Sequence, residues 1–126
     1  MDREAVRTDG APKAIGPYEQ GIKANGFLFT AGQVALDPKN GELIEGDIGA
    51  QTRRVFENLK AILEAGGSFL DRVVKATIFI KTMNDFPTIN GICQEFFGNS
   101  KPARSTVAVS ELAKGALVEI DLIAQT

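Results

Sequence analysis

The sequence contains no histidine and no tryptophan, and it has only one tyrosine and one cysteine. Without histidine, the chain cannot build imidazole metal sites, Ser-His or Cys-His nucleophile pairs, or an imidazole acid-base catalyst. The lone cysteine, Cys93, also excludes an intrachain disulfide and a thiolate zinc cage, and it agrees with a reducing compartment. Any reaction must therefore use carboxylates, cations, hydroxyls, amides or the backbone, and we expect neither a metal nor another cofactor.

Long apolar runs and clustered charges are also missing. No segment approaches the roughly 20 apolar residues that cross a bilayer, and the N-terminal residues lack the apolar region of a secretory signal. The 14 lysines and arginines and the 16 aspartates and glutamates are spread along the chain and give a net charge of -2. We therefore expect a cytoplasmic protein with no membrane partner. The absence of a basic stripe argues against nucleic acid as a partner.

The residues that are present predict one α+β domain covering residues 1–126. Apolar side chains make up 44% of the chain, which suffices for a single core. Apolar periodicity and turn residues predict the order β-β-α-β-α-β-β, with two helices on one face of a mixed sheet. Strands are expected at 18–24, 27–31, 73–80, 103–109 and 117–124, with a further short strand near 43–44, and helices from Asp47 to about Gly66 and from Asn84 or Asp85 to Gly98.

The second face of this sheet is left uncovered by the two predicted helices. Strict alternation would place Val73, Lys75, Thr77 and Phe79 together on one face of their strand, and Glu119, Asp121 and Ile123 on one face of the last strand. Because a face that is apolar in places is costly to leave in water, the sequence predicts that the chain associates with other copies.

Three charged residues are candidates for chemistry. Glu119 and Asp121 would lie roughly 6.5 to 7 Å apart on one strand face, a spacing that suits an acid-base pair but equally suits two solvated acids. Arg104 in a predicted strand is either solvated, ion-paired or part of an anion site. Tyr18, Asn90 and Cys93 are explained as well by packing and local hydrogen bonds as by ligand contacts. These residues predict an anion site without defining a reaction.

Blocks of sequence along the whole chain resemble the Rid family of reactive imine deaminases. They are Gly-Pro-Tyr at 16–18, Ala-Gly-Gln at 31–33, Met-Asn-Asp-Phe at 83–86 followed by Asn90 and Phe-Phe at 96–97, and Pro-Ala-Arg-Ser at 102–105 followed by Val-Glu-Ile at 118–120. The last block is the most specific, because it keeps both the P-A-R-S pattern and its distance from V-E-I.

The resemblance implies a chorismate-mutase-like (YjgF-type) fold assembled as a homotrimer, with the sheets forming a central barrel and clefts between subunits. It also implies hydrolysis of enamines and imines, such as 2-aminoacrylate and related 2-imino acids made by pyridoxal-phosphate enzymes, to 2-keto acids and ammonia. By this resemblance, Arg104 binds the substrate carboxylate and Glu119 positions or activates water. The cleft residues carried over with them are Tyr18, Ala31, Gly32, Asn90 and Thr106, with no metal.

Three residues depart from the family's common pattern. Ala31 replaces a serine, Glu19 replaces the serine of P-Y-S-Q, and Thr106 replaces a cysteine that many deaminases carry.

Two alternative functions stay open: a small-molecule binding module of the same fold, and an RNA-acting translation inhibitor, an activity also attributed to this family. A chorismate-mutase-type enzyme is suggested by fold analogy alone.

Overall fold

The chain folds into six strands and two helices that form one mixed sheet with the helices on one face. The computed structural model describes residues 2–126, so residue 1 of the expected domain lies outside the described residues. The elements are β1 (Arg3–Val6), β2 (Gly21–Ala24), β3 (Phe27–Thr30), α1 (Ile48–Ala65), β4 (Val73–Ile80), α2 (Phe86–Phe97), β5 (Ala103–Ala108) and β6 (Val118–Gln125). The predicted fold class is confirmed. No helix within residues 2–126 combines the length and apolar character needed to cross a membrane.

The strand order across the sheet is β1-β2-β3-β6-β4-β5. The last strand in sequence, β6, inserts between β3 and β4 and runs antiparallel to both. The β4-β5 pair is parallel, and α2 makes the crossover between its two strands. This topology places β6 at the centre of the sheet and leaves β5 at one edge.

Local turn and cap signals set several element boundaries as the sequence predicts. Asn25 and Gly26 have φ values of 53° and 82°, as a type I′ turn between β2 and β3 requires. The Asp47 carboxylate caps α1 by accepting a hydrogen bond from the backbone N–H of Ala50 at 3.0 Å. Gly98, with φ of 58°, ends α2.

Other boundaries differ from prediction. The strand β1 is not predicted, and β2 begins at Gly21 instead of Tyr18. Residues before β2 form a turn in which the N–H of Tyr18 donates to the carbonyl of Gly16 at 2.9 Å. Near the predicted strand at 43–44, Leu43 makes only an isolated bridge with Leu36. The strand β1 pairs with β2 along its whole length and adds an edge to the sheet, whereas the segment 43–44 forms no strand.

The start of α2 is also displaced, to Phe86. The preceding residues, Met83–Asp85, form a single 3-10 turn whose Asn84 N–H donates to the Thr82 hydroxyl at 3.2 Å. The helix then has Pro87 in its first turn. The N–H groups of the first turn have no acceptor within the helix, so a proline there costs no hydrogen bond.

The covered sheet face and the two helices enclose the core. Val118, Ile120, Leu122 and Ala124 of β6 and Ala76, Ile78 and Ile80 of β4 are all buried there. The two helices meet through Phe56 of α1, whose ring stacks on Phe96 at 4.7 Å and meets the edge of Phe97 at 5.3 Å between centroids. These contacts hold α2 against α1.

The open sheet face carries a mixture of apolar and charged side chains, as the sequence predicts. Its members include Phe27 and Phe29 of β3, Lys75, Thr77 and Phe79 of β4, Val107 of β5, and Glu119, Asp121 and Ile123 of β6. The prediction for Val73 is wrong, because a register shift between Val73 and Lys75 turns the Val73 side chain into the core.

Candidate active site

Arg104 projects from edge strand β5 toward the helices, where α2 holds its guanidinium. In the parallel register Arg104 pairs with Ala76, whose side chain is fully buried on the helix-covered face. The Nη2 atom donates to Oδ1 of Asn90 at 2.5 Å. The guanidinium carbon also lies 5.2 Å from the centroid of the Phe86 ring, a cation-π distance. Because Phe86 and Asn90 are four residues apart on α2, they reach Arg104 from the same helix face.

The partners of Arg104 are neutral, so its charge is uncompensated. No carboxylate of residues 2–126 lies within salt-bridge distance of this guanidinium. Arg104 lines a cavity of about 330 Å³ with a second cation, Lys101, and without an acidic residue. The remaining lining residues are Asn90, Cys93, Gln94, Phe97, Gly98 and Pro102. The arrangement suits an anion.

Cys93 faces the same cavity but is a poor nucleophile there. Burial raises the pKa of its thiol, while the nearby Arg104 guanidinium acts in the opposite direction. The residue is also part of the core cluster, as the sequence predicts. Its position therefore supports packing and not covalent catalysis.

Glu119 projects from β6 to the open face of the sheet. It pairs with Phe79 of β4, whereas its neighbours Val118 and Ile120 are buried on the helix-covered face. Its carboxylate lies against Gly32, so close that a Cβ at position 32 would overlap it. A side chain at position 32 would therefore displace the Glu119 carboxylate from this place.

Burial raises the pKa of the Glu119 carboxyl, and the charge of Asp121 adds to this effect. Burial also raises the pKa of Asp121, although a hydrogen bond from Thr77 and the charge of Lys75 oppose it. Both acids thus hold protons more tightly than free carboxyls do. Of the two, only Glu119 lines the cavity that also contains Tyr18 and Gly32.

A second cavity, of about 200 Å³, surrounds Glu119. Tyr18 and Gly32 line it together with Pro12, Lys13, Ile15, Gln33, Val34, Leu36, Ala113 and Lys114. The Tyr18 hydroxyl accepts a hydrogen bond from the Ile15 N–H at 3.3 Å, and the Tyr18 side chain is 49% exposed. Its ring is therefore available at the cavity mouth.

Within one chain, the expected site is divided into two halves. Tyr18, Gly32 and Glu119 share one cavity, whereas Asn90 and Arg104 share the other. The pairing partners of Arg104 and Glu119, Ala76 and Phe79, are three residues apart on β4 and so point to opposite faces.

The three departures from the family pattern have distinct positions. Ala31 precedes Gly32 beside the Glu119 cavity and contributes no hydroxyl. The Thr106 hydroxyl is buried on the Arg104 side of β5 and has no hydrogen-bond partner among residues 2–126. Glu19 does not line the Glu119 cavity; instead it accepts two hydrogen bonds from Arg7, at 2.8 Å and 2.6 Å.

Sequence reasoning assigned no role to Phe86, although the residue belongs to a block that it singled out. The four-residue spacing between Phe86 and Asn90 could have indicated the role of Phe86, because residues one helical turn apart lie on the same face of a helix and can contact the same group. Among residues 2–126, no group of three Asp, Glu or Cys side chains comes together as a metal-binding cluster.

Comparison with known proteins identifies the class. The sequence matches the family described as Endoribonuclease L-PSP over residues 8–126. A RutC family protein of Pyrococcus horikoshii is 56% identical over 122 residues, covering 97% of each chain. A protein of Dermatophagoides farinae named 2-iminobutanoate/2-iminopropanoate deaminase is 41% identical over 121 residues, covering 96% of this chain and 94% of its own.

Solved structures agree with this assignment. A Rid family protein of Yersinia pestis superimposes with a TM-score of 0.96 at 46% identity, covering 99% of this chain and all of its own. TdcF of E. coli, whose structure holds bound serine, superimposes with a TM-score of 0.92 at 40% identity and covers 98% of each chain. The protein therefore belongs to the Rid (YjgF/L-PSP) family, which includes an imine deaminase by name and a structure with a bound small molecule.

Proposed function

We propose that this protein hydrolyses 2-imino acids, formed directly or from enamines such as 2-aminoacrylate, to 2-keto acids and ammonia. The observation that carries the proposal is the uncompensated guanidinium of Arg104, held by Asn90 and Phe86 in a cavity without an acidic residue. A planar guanidinium binds both oxygens of a carboxylate, which every 2-imino acid carries. The deaminase among the relatives supports the same reaction class.

Glu119 is the group that handles water and protons in this proposal. An enamine first tautomerises to the imine, whose carbon is already electrophilic. Water adds to that carbon as Glu119 accepts one of its protons and returns it to the imine nitrogen, giving a neutral carbinolamine. Glu119 then transfers the hydroxyl proton of the carbinolamine to the same nitrogen; the C–N bond breaks as the C=O bond forms, and ammonia leaves. The raised pKa of Glu119 supports this exchange, because a carboxyl whose pKa lies closer to neutral pH both accepts and returns a proton more readily there.

Arg104 and Glu119 would meet between neighbouring copies of the chain. Their opposite orientations prevent them from sharing a ligand within one chain. The open sheet face exposes Phe29 and Val107, at 42% and 44%. An apolar surface of this kind is typical of an interface between copies. A homotrimer would cover it and bring the Arg104 half of one subunit to the Glu119 half of the next.

The remaining cleft residues have supporting roles in the proposal. Tyr18 and Gly32 line the Glu119 half, Ala31 immediately precedes Gly32, and Asn90 orients the guanidinium. Thr106 lies on the same face of β5 as Arg104, but its buried hydroxyl does not line the Arg104 cavity. We place this activity in the cytoplasm, in keeping with the expectation from sequence.

The direct test couples an enzyme that generates 2-aminoacrylate to this protein and follows imine decay and ammonia release. We expect Arg104→Ala to lower kcat/KM by roughly 30-fold to several thousand-fold, because losing the clamp leaves a desolvated carboxylate unpaired, at about 2 to 5 kcal/mol. The matched control is Arg72→Ala, which removes a guanidinium that bonds the Thr126 carbonyl at 3.3 Å and lines neither cavity. Equal rates for the two variants would overturn the assignment.

The alternatives give different outcomes in the same assay. A binding module would bind a stable 2-keto acid through Arg104 without accelerating imine decay. An RNA-acting protein would cleave or bind RNA irrespective of imines, and the family's description as an endoribonuclease is the observation in its favour. The net charge of -2 and the dispersed cations count against it.

A further inference from the structure

A buried glutamine, Gln20, lies two residues after Tyr18 and is only 4% exposed. Its Nε2 atom donates to the carbonyls of Thr8, Ala11 and Pro12 at 3.0, 3.2 and 2.8 Å. Its Oε1 atom accepts from the N–H of Thr8 at 2.7 Å. The amide group is therefore satisfied entirely by the backbone of one short segment.

The backbone of Gln20 is bonded in another direction. Its carbonyl accepts from the N–H of Ala31 at 2.9 Å. Ala31 immediately precedes Gly32, against which the Glu119 carboxylate lies. Gln20 thus connects the two walls of the Glu119 cavity: the loop 8–18, which carries Tyr18, and the segment 31–32.

No other hydrogen bond joins the loop 8–18 to the rest of the described chain. The bonds made by Gly10, Ile15 and Tyr18 are internal to the loop. The nearby Arg7–Glu19 ion pair lies outside it on the surface, where ion pairs contribute little. Besides the packing of the buried residues Ala11 and Pro12 and of Gly10 against Ala61, the loop is held to the rest of the described chain by the hydrogen bonds of the Gln20 amide.

We propose that Gln20 is a positioning residue that sets the distance of Tyr18 from Glu119 and so the width of their shared cavity. The inference rests on the proposed function for what the cavity binds. Only an amide combines an acceptor for the Thr8 N–H with two N–H donors, which the three carbonyls share. A methionine of similar length would leave the buried carbonyls of Ala11 and Pro12 unpaired and would remove both hydrogen bonds to the partly buried backbone of Thr8.

The sequence provides a specific probe, because Tyr18 is the only tyrosine. Protein labelled with 3-fluorotyrosine will give one ¹⁹F resonance, whose relaxation reports the motion of this ring alone. In Gln20→Met we expect slower transverse relaxation of that resonance, together with a loss of kcat/KM on the order of tenfold, mainly through KM. Light scattering should give the same assembly mass as for the wild type.

Gln51→Met is the matched control. Gln51 is also 4% exposed, accepts from the Leu117 N–H at 2.9 Å and lines neither cavity. This variant should lose stability while leaving the Tyr18 resonance and kcat/KM unchanged. A structural role for Gln20 alone would instead make the two variants behave alike.

Two results would overturn the proposal. In Gln20→Met, the Tyr18 resonance could relax as in the wild type, or it could relax more slowly while kcat/KM stays at the wild-type value. If the wild type does not hydrolyse imines, the proposed function fails, and the relaxation still decides whether Gln20 positions Tyr18.

If Gln20→Met does not fold, amide hydrogen exchange in the wild type decides the question. The Thr8 N–H must then exchange much more slowly than the exposed Gly10 N–H, and equal rates refute the proposal.

Discussion

The carboxylate of Glu119 lies against the Cα atom of Gly32, in space that any side chain at position 32 would fill. The two residues come from different parts of the chain, and a bridge between Gln33 and Ile120 brings those parts together. Hydrogen bonds of 2.9 and 3.1 Å join Gln33 and Ile120 in both directions. Backbone hydrogen bonds thus place Glu119 beside Gly32, and this contact makes position 32 sensitive to a single methyl group.

We expect Gly32→Ala to displace the Glu119 carboxylate and to lower kcat/KM roughly 10- to 100-fold, since small misplacements of a reacting group have large effects on rate. Steady-state kinetics with a 2-imino acid measures this change. Gly91→Ala is the control, because a Cβ at this exposed helical position meets no atom within 4 Å. That variant should gain about 0.5 to 1 kcal/mol of stability and keep its activity. Full activity of Gly32→Ala would refute the role of this contact.

Phe86 is expected to contribute to anion binding through Arg104. Replacing Phe86 by leucine removes a cation-π interaction of about 0.5 to 2 kcal/mol, so the Kd of a 2-keto acid should rise roughly 2- to 30-fold. Titration calorimetry measures the affinity. Phe96→Leu is the control. It removes a ring that stacks on Phe56 in the core, so the stability of the protein should fall while its affinity for the 2-keto acid stays the same. Equal affinities in Phe86→Leu and the wild type would contradict this role.

The raised pKa of Glu119 predicts how activity depends on pH. If ionised Glu119 accepts a proton from water, kcat/KM falls as pH drops through this pKa, which lies above the ordinary glutamate value of 4.5. Asp121→Asn removes one cause of the elevation, so the acid limb of the profile should move to lower pH. If the acid limb of the kcat/KM profile stays at the same pH in Asp121→Asn, the group that titrates is not Glu119.

The same shift predicts an effect on stability. Because the folded pKa of Glu119 exceeds its unfolded value, this residue's stabilising contribution is present below pH 4.5 and is lost as pH rises through the folded pKa. Glu119→Gln should therefore raise Tm relative to the wild type at about pH 8 and not below pH 4.5. Thermal unfolding at the two pH values tests this, and a Tm gain confined to acid would contradict it.

The sequence allowed most of the fold to be predicted, for identifiable reasons. Asp47, Asn25 and Gly98 each have one structural use that their chemistry favours, and the apolar spacing of α1 is regular. The strand β1 was missed because only Val6 of its four residues is buried, so no alternation marks it. The face of Val73 was predicted wrongly because a bulge leaves no trace in the residue pattern.

The candidate site was only partly predictable. The face of Glu119 follows from its buried neighbours Val118 and Ile120, but Arg104 lies between the small residues Ala103 and Ser105, which suit either face. Its orientation depends on the register with β4, a long-range property. The separation of Arg104 from Glu119 therefore emerges only in the folded chain.

The central claim is that Arg104 and Glu119 act together across an interface between copies of the chain. The most direct measurement co-expresses Arg104→Ala and Glu119→Gln chains with different tags, isolates the mixed assemblies, and assays imine hydrolysis. Each variant alone should be nearly inactive. Each mixed trimer should contain one restored site out of three, about one third of the wild-type sites, because a restored site takes Arg104 from one subunit and Glu119 from its neighbour. Mixed assemblies of three chains that stay as inactive as the single variants would contradict the account.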